Sequence, residues 1–266
     1  MMDEHDPYTS IAGWYDLEHD ALTEDVECYV ELLAGAHEGR ATLLEVGSGT
    51  GRIAAVLATA GYEVTGIEPS AAMRVRCDTR LAQLPQRVAR RIHIVAGSAE
   101  NLGLAPEQHY HAVLYGLNTF AHLTNRRQRQ RALSVAWEHL LPGGLLLIDL
   151  DLAGPRRLLN APGQLFLQGS WVLPASGEWV CHLVAGVLGQ EAGSIAVTHM
   201  YDVFPPGETV RRTLSLMPLA LLSRGELELA VINAGFEVES VYGGYDLAPF
   251  DETSGRAILL ARRMDN

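Results

Sequence analysis

The chain has 266 residues, 48% of them apolar and 20% charged, and 20 bases against 32 acids give a formal charge of −12. This is the composition of a globular protein long enough to bury one sizeable core. All 20 bases are arginine and there is no lysine, which excludes Schiff-base chemistry on a protein amine, the phosphate loop ending in Gly-Lys-Ser/Thr, and the kinase strand lysine.

The acidity is concentrated at one end: residues 1–39 hold 11 of the acids and no arginine. Such a segment is either a solvated helix face or an acidic lid that favours a cationic ligand. Next, Ala41 to Val46 is a short apolar run stopped by Gly47, the pattern of a buried parallel strand. Ile53, Val56, Leu57 and Ala60 then recur at helical spacing, with Gly61 where a C-cap glycine belongs. Tyr62 to Ile67 reads as a second strand, Met73, Cys77, Leu81 and Leu84 as the apolar stripe of a second helix, and Arg91 to Val95 as a third strand. Six arginines between Arg74 and Arg91 are read as the solvated face of that helix and its following loop, with a local nucleic-acid patch as the alternative.

A fourth strand is expected around His111 to Leu117, then a helix from about Asn125 whose inner face is Leu133, Ala136, Trp137 and Leu140. Pro142-Gly143-Gly144 ends that helix, and Leu145 to Leu150 is a fully apolar fifth strand. This β-α-β-α alternation predicts a doubly wound parallel sheet. From Ala153 to about Leu216 the punctuation changes, and Ser170 to Leu173, Glu178 to Val187 and Ser194 to Phe204 read as antiparallel strands. Alternation places Val197, His199, Tyr201 and Val203 on one strand face. A helix over Arg224 to Asn233, a strand Phe236 to Tyr242 and a last strand Ala257 to Ala261 complete the chain. The expected architecture is one α/β domain over 1–266, Rossmann-like, with a mostly parallel seven-stranded sheet, an acidic helical lid at 1–39 and an antiparallel β cap at 153–216.

Cys28, Cys77 and Cys181 are odd in number and widely spaced, which points to a reducing compartment without a disulfide framework or zinc cluster. With no 18-residue apolar run and an acidic start, no membrane partner is expected and a cytoplasmic location is.

The chemistry begins where the first strand runs into Glu45-Val46-Gly47-Ser48-Gly49-Thr50-Gly51 and a helix follows at once. Glycines here let the chain turn tightly and let a ligand lie against the backbone. Glu68, 19 residues after Gly49, ends the second strand where a carboxylate accepts from both ribose hydroxyls. A dinucleotide fingerprint needs a glycine at its sixth position, and Arg52 stands there. What remains is an adenosine ligand whose other end is small and not strongly anionic.

With an acid followed by Gly-x-Gly-x-Gly at Glu45, Gly47, Gly49 and Gly51, the sequence resembles the class I S-adenosylmethionine-dependent methyltransferases of small-molecule type. The resemblance runs from about Tyr8 to Arg262, including Tyr8-x6-Tyr15-Asp16 and Leu141-Pro142-Gly143-Gly144. It implies S-adenosyl-L-methionine as cofactor, its methionine part on the loop with Ser48, its ribose on Glu68 beside Pro69, and Met73 near the adenosine. The adenine-edge position corresponds to Gly97-Ser98-Ala99, where Ser98 replaces the usual Asp and the Ala99 amide remains. Tyr115, Gly116 and Leu117 fall where the family lines the cofactor pocket. The N-terminal tyrosines, the cap and the loop Tyr242-Gly243-Gly244-Tyr245-Asp246 are similar to enzymes acting on amino sugars and glycine-like amines.

Methyl transfer from a sulfonium is an in-line displacement, so positioning dominates. An amine acceptor must arrive deprotonated, and a hydroxyl acceptor usually needs a base. His122 is the first candidate base or acceptor-orienting group, packing on the next helix being its structural alternative. Tyr15 is expected to close over the cofactor, and Tyr8, Asn118, His199 and Tyr201 to meet the substrate, with His182 as a further candidate. Asp149 and Asp151 end strand five, but two acids without a third ligand make a poor metal site, so no metal is expected. Trp171 and Trp179 either shape an acceptor pocket or fill the cap's own core. The acceptor is expected to be a small molecule, with nucleic acid unlikely and a homodimer possible. The alternatives are an inactive adenosine-ligand module and an RNA methyltransferase.

Overall fold

The computed structural model describes residues 6–34, 41–173 and 176–264; expectations about 1–5, 35–39 and 174–175 lie outside the described residues. The acidic segment forms α1 (Ala12–His19) and α2 (Glu24–Leu33) before the alternation starts. There follow β1 (Thr42–Val46), α3 (Arg52–Ala60), β2 (Glu63–Ile67), α4 (Ala71–Gln83), α5 (Gln86–Ala89) and β3 (Ile92–Val95). Then come β4 (Tyr110–Tyr115), a 3-10 turn (Thr119–His122), α6 (Arg126–His139) and β5 (Leu140–Asp151). The second half holds α7 (Ala153–Asn160), β6 (Phe166–Val172), β7 (Trp179–Leu188), β8 (Ser194–Phe204), β9 (Arg211–Ala220), α8 (Arg224–Asn233), β10 (Phe236–Tyr242) and β11 (Arg256–Arg263).

One sheet has the order β10-β11-β5-β4-β1-β2-β3, with β11 antiparallel to both neighbours and the other pairings parallel. Its central strands β1, β4 and β5 are largely apolar on both faces because both are covered. Leu44, Val113 and Leu146 enter one core, while their chain neighbours Leu43, Ala112 and Leu145 enter the other. That alternation is the two-residue period of a strand. Two helices start with reciprocal caps, Asn125 with Gln128 and Ser223 with Glu226, each cap worth about 1 kcal/mol. From β1 the chain winds towards β2 on one side, while β4 pairs on the other side. The crevice at the carboxyl ends of β1 and β4 is therefore the topological switch point where such sheets bind ligands.

The structure departs from the sequence reading at three places. Pro142-Gly143-Gly144 lies inside the span of β5 as a bulge, Gly143 at φ +72°, where the β4 register skips between Tyr110 and Ala112; α6 has already ended at His139. The insertion opens with the helix α7, whose Pro155 sits in the first turn, where a missing N–H costs nothing. Its strands form a separate four-stranded sheet, β6-β7-β8-β9, with a fourth strand that sequence reading missed. Pro218 and the arginine pair at the start of β9 disguised the alternation, yet Ser215, Met217 and Leu219 point inward on this edge strand. Val180, Val184, Val197, Tyr201 and Met217 join this sheet to the core of the larger one. Among the described residues no helix is long and apolar enough to cross a membrane.

Candidate active site

Gly47, Gly49 and Gly51 hold φ of +74°, +56° and +75°, backbone that only glycine adopts freely. Space is also short: a Cβ on Gly47 would lie 2.5 Å from Thr119 Cγ2, and one on Gly51 2.5 Å from Cys77 Sγ. The Gly47 and Ser48 amides donate to the Ile67 carbonyl at 2.7 and 3.0 Å, tying the loop to the end of β2. Glu68 accepts one amide on each oxygen, Gly49 N on Oε2 and Ser70 N on Oε1, both at 2.8 Å. Each oxygen keeps a lone pair. Met73 is buried with Cε beside Gly49, and Ser48 is buried with a hydroxyl that has no partner. Glu45 is 1% exposed and its Oε2 has no hydrogen-bond partner. Burial pushes its carboxyl up to about 8, although the Arg52 guanidinium pulls the other way.

Arg52, the residue that breaks the dinucleotide fingerprint, is buried against Asp25 of α2 and also donates to Leu22 O at 2.8 Å. Sequence reasoning missed Asp25 altogether. The arginine run is not the freely solvated face that was expected. Arg80 donates to Asp16 and Asp20 at 2.7 Å each, Arg76 to Asp16 at 2.9 Å, and Arg74 to the Glu68 and Pro69 carbonyls at 2.7 Å. Acidic α1 docks on basic α4 because their charges are complementary, and this leaves a nucleic-acid patch with little support.

Beyond the loop lies a cavity of about 300 Å³ walled by the N-terminal segment, the turn after β4 and the inner face of the four-stranded sheet. Tyr8, Tyr15, Leu117, Asn118 and His122 line its near side, and His182, His199 and Tyr201 its far side. The Tyr8 hydroxyl meets His122 Nε2 at 3.0 Å. Burial lowers the His122 imidazole to about 4, so it is neutral at pH 7. The Tyr15 ring lines the cavity and stacks on His19 at 4.2 Å between centroids; burial raises its phenol well above the ordinary range, opposed by Arg52 and reinforced by Glu45 and Glu68. Glu18 of α1 pairs with His182 Nδ1 at 2.9 Å, and His182 Nε2 meets His199 Nδ1 at 3.0 Å.

The near wall is a strained turn: Leu117 and Asn118 have φ of +40° and +67°. Asp149 anchors it. The Asn118 amide donates to the Asp149 carbonyl at 3.0 Å, and the Leu117 amide to the Tyr29 hydroxyl at 3.0 Å, which in turn donates to the Asp149 carboxylate. Tyr245, at 3.1 Å, and Arg256 complete that carboxylate's partners. Asp149 is thus a saturated anchor, and among the described residues no three His, Cys, Asp or Glu converge as a metal site. Asp151 turns back to cap α7, its Oδ1 accepting from Ala153 and Gly154.

Some of the predicted residues stand away from this cavity. The Tyr115 side chain is in the core, donating to Ala132 O at 3.2 Å, because an inward strand position is covered by α6. Ser98 closes a turn with Asn101 after β3, and neither it nor Ala99 lines the cavity. Trp171 and Trp179 are also absent from its wall, Trp179 standing half exposed against Phe204. A hollow of about 410 Å³ between α6 and α8 is larger, but no buried unpartnered polar atom of the described residues lies on it.

Residues 44–146, β1 through most of β5, match a family described as a methyltransferase domain. Among solved structures, the CcbJ methyltransferase from Streptomyces caelestis is 26% identical with a TM-score of 0.79, over 97% of this chain and 98% of that one. The S-adenosylmethionine-bound amino pentose methyltransferase CalS10 from Micromonospora echinaspora is 22% identical with a TM-score of 0.67, over 92% and 93%. The sugar N-methyltransferase KedS8 of a Streptoalloteichus species is 21% identical with a TM-score of 0.70, over 94% and 93%. No curated protein sequence matches significantly. Residues 44–146 therefore form a methyltransferase domain, and the fold and glycine loop around it are similar to those of S-adenosylmethionine-dependent methyltransferases.

Proposed function

We propose that this enzyme methylates an amine or hydroxyl of a small molecule, and that an amine on a sugar-like scaffold is the acceptor class best supported. The observation that carries the reading is the 300 Å³ cavity bordered by Leu117 and Asn118, whose chain neighbour Thr119 packs on Gly47; it has the size of a small-ligand pocket and is walled by phenols, imidazoles and Glu18. Structural relatives named for amino pentose and sugar N-methylation support the amine.

The residues fit the cofactor. The unpartnered Oε2 of Glu45 suits an ammonium, and the remaining lone pairs on Glu68 suit two ribose hydroxyls. The tight glycines leave room for a ligand only against the main chain. Ser48, Pro69 and Met73 surround this cradle, with Ser98 and Ala99 at its adenine end. When bound, S-adenosylmethionine supplies an electrophilic methyl on sulfur. Tyr15, Leu117 and Asn118 hold the boundary between cradle and cavity. His122, fixed by Tyr8, orients the acceptor from one side, while Tyr201 and His199 face it from the other. Residues 1–39 act as a lid and 153–216 as the cap that closes the acceptor's side.

Calorimetry with S-adenosylmethionine and S-adenosylhomocysteine tests the first half, and no heat at millimolar cofactor overturns it. Mass spectrometry of a panel of aminodeoxy sugars, phenols and RNA oligonucleotides incubated with enzyme and cofactor tests the second. Methyl gain is expected on the amines, and gain on RNA alone would refute the small-molecule reading.

A further inference from the structure

We propose that Glu18, His182 and His199 form a proton relay whose open end, Nε2 of His199, takes the proton from the acceptor's ammonium or hydroxyl. This rests on the reading that the cavity holds such an acceptor.

Three separate elements bring the groups together: α1 supplies Glu18, β7 His182 and β8 His199. Glu18 Oε1 stands 2.9 Å from Nδ1 of His182 as an ion pair without an aligned hydrogen bond, and a carboxylate that close favours the tautomer that keeps its hydrogen on Nδ1. Nε2 of a neutral His182 then has only a lone pair to offer, and it accepts the Nδ1–H of His199 at 3.0 Å. In that arrangement His199 keeps a bare lone pair on Nε2. This Nε2 is buried without a partner, on a residue that lines the cavity. A triad serving only packing has no use for an orphaned nitrogen at a ligand-sized hollow. The corresponding nitrogen of His122 is already engaged by Tyr8.

The proton accounting is simple. The acceptor's N–H or O–H bond breaks, its electron pair stays on the acceptor, and the proton bonds to His199 Nε2. The Nδ1 proton of His199 passes to His182 Nε2, so the positive charge rests on His182 opposite Glu18 and the triad goes from −1 to neutral. Burial, then the neighbouring His182, lowers the His199 imidazole to about 4, with His122 and His19 acting in the same direction and Glu18 against it. On the inner side of the relay the Tyr201 ring stacks on His182 at 4.2 Å between centroids. Burial alone would raise Glu18, but hydrogen bonds from His182 and Tyr201 outweigh it and keep the carboxylate ionised.

The test uses the full chain loaded with S-adenosylhomocysteine and labelled with 15N-histidine. Long-range proton–nitrogen spectra at pH 7 are expected to show His199 protonated on Nδ1 and bare on Nε2; an Nε2–H tautomer overturns the relay. Glu18→Gln is expected to move hydrogen from Nδ1 to Nε2 of His182 in the same spectra, and an unchanged His182 tautomer overturns the first link. With S-adenosylmethionine and the methyl glycoside of an aminodeoxy hexose as probe, His199→Asn keeps a donor facing His182 but lacks Nε2. Its rate is expected to fall about 100-fold at pH 7 and to approach the wild type as pH rises and the amine arrives already deprotonated. A pH profile parallel to the wild type overturns the proposal. If the wild type binds cofactor but does not turn over the probe, the amine-acceptor reading fails and the His199 tautomer still decides the relay.

Discussion

Burying Glu45 beside Glu68, with one oxygen unpartnered, makes the free enzyme's stability depend on pH in an uncommon direction. Its carboxyl rises from the ordinary 4.5 to about 8 on folding, so between those values the folded chain binds more protons than the unfolded one. Stability is then fully present below the unfolded value and declines as pH rises, by at most about 1.4 kcal/mol per pH unit. Urea melts of the cofactor-free enzyme between pH 5 and 8 should show this decline, and Glu45→Gln should flatten it while weakening S-adenosylmethionine about 10-fold or more. A pH-independent wild-type melt would mean that Glu45 folds in ionised. Little of this was legible in the sequence. Glu45 and Glu68 could be named from their spacing to the glycines, but which oxygen lacks a partner depends on what α2 and α3 place around it.

Asp25 and Arg52 join α2 to the start of α3, both buried and hydrogen-bonded. A buried ion pair costs little to replace as a whole and much to halve. Asp25→Ala is therefore expected to lose about 3–5 kcal/mol in urea denaturation, and Asp25→Ala with Arg52→Met to recover most of it. Equal losses in single and double variants would show that the pair adds nothing beyond packing. The same junction explains a motif detail: a long arginine is accommodated at the sixth fingerprint position because α2 offers it a carboxylate. Helix periodicity cannot reveal that, since it says which face is apolar and not which acid on another helix lies opposite.

The N-terminal segment links everything else together. Asp16 and Asp20 hold α1 to α4, Tyr8 and Tyr15 line the cavity, and Glu18 reaches the second sheet. The surface pairs are each worth about 0–1 kcal/mol, so Arg80→Ala alone should change little. Removing residues 1–20 takes away both tyrosines and Glu18 together, and calorimetry on that truncation, with circular dichroism confirming the fold, should show cofactor binding weakened several-fold. Unchanged affinity would mean that the acidic segment is a solvated face and no lid. The negative charge of this segment thus reads differently in three dimensions: much of it is spent against the arginine run that, in one dimension, resembled a separate patch.

What the sequence determined by itself was whatever is encoded within a few residues or by a fixed period. The glycine loop requires positive φ at three positions, the central strands are largely apolar, and the helices carry their caps and stripes. Those signals suffice for a doubly wound sheet and for a cofactor cradle at the end of its first strand. The acceptor side is different in kind. Tyr8 meets His122 across 114 residues, and Tyr29 meets Asp149 across 120. The Glu18, His182 and His199 contacts likewise join a helix to two strands of another sheet. Only tertiary structure decides such pairings, because they follow from how the second sheet and α1 pack over the first, and no local dihedral preference or periodicity records that choice.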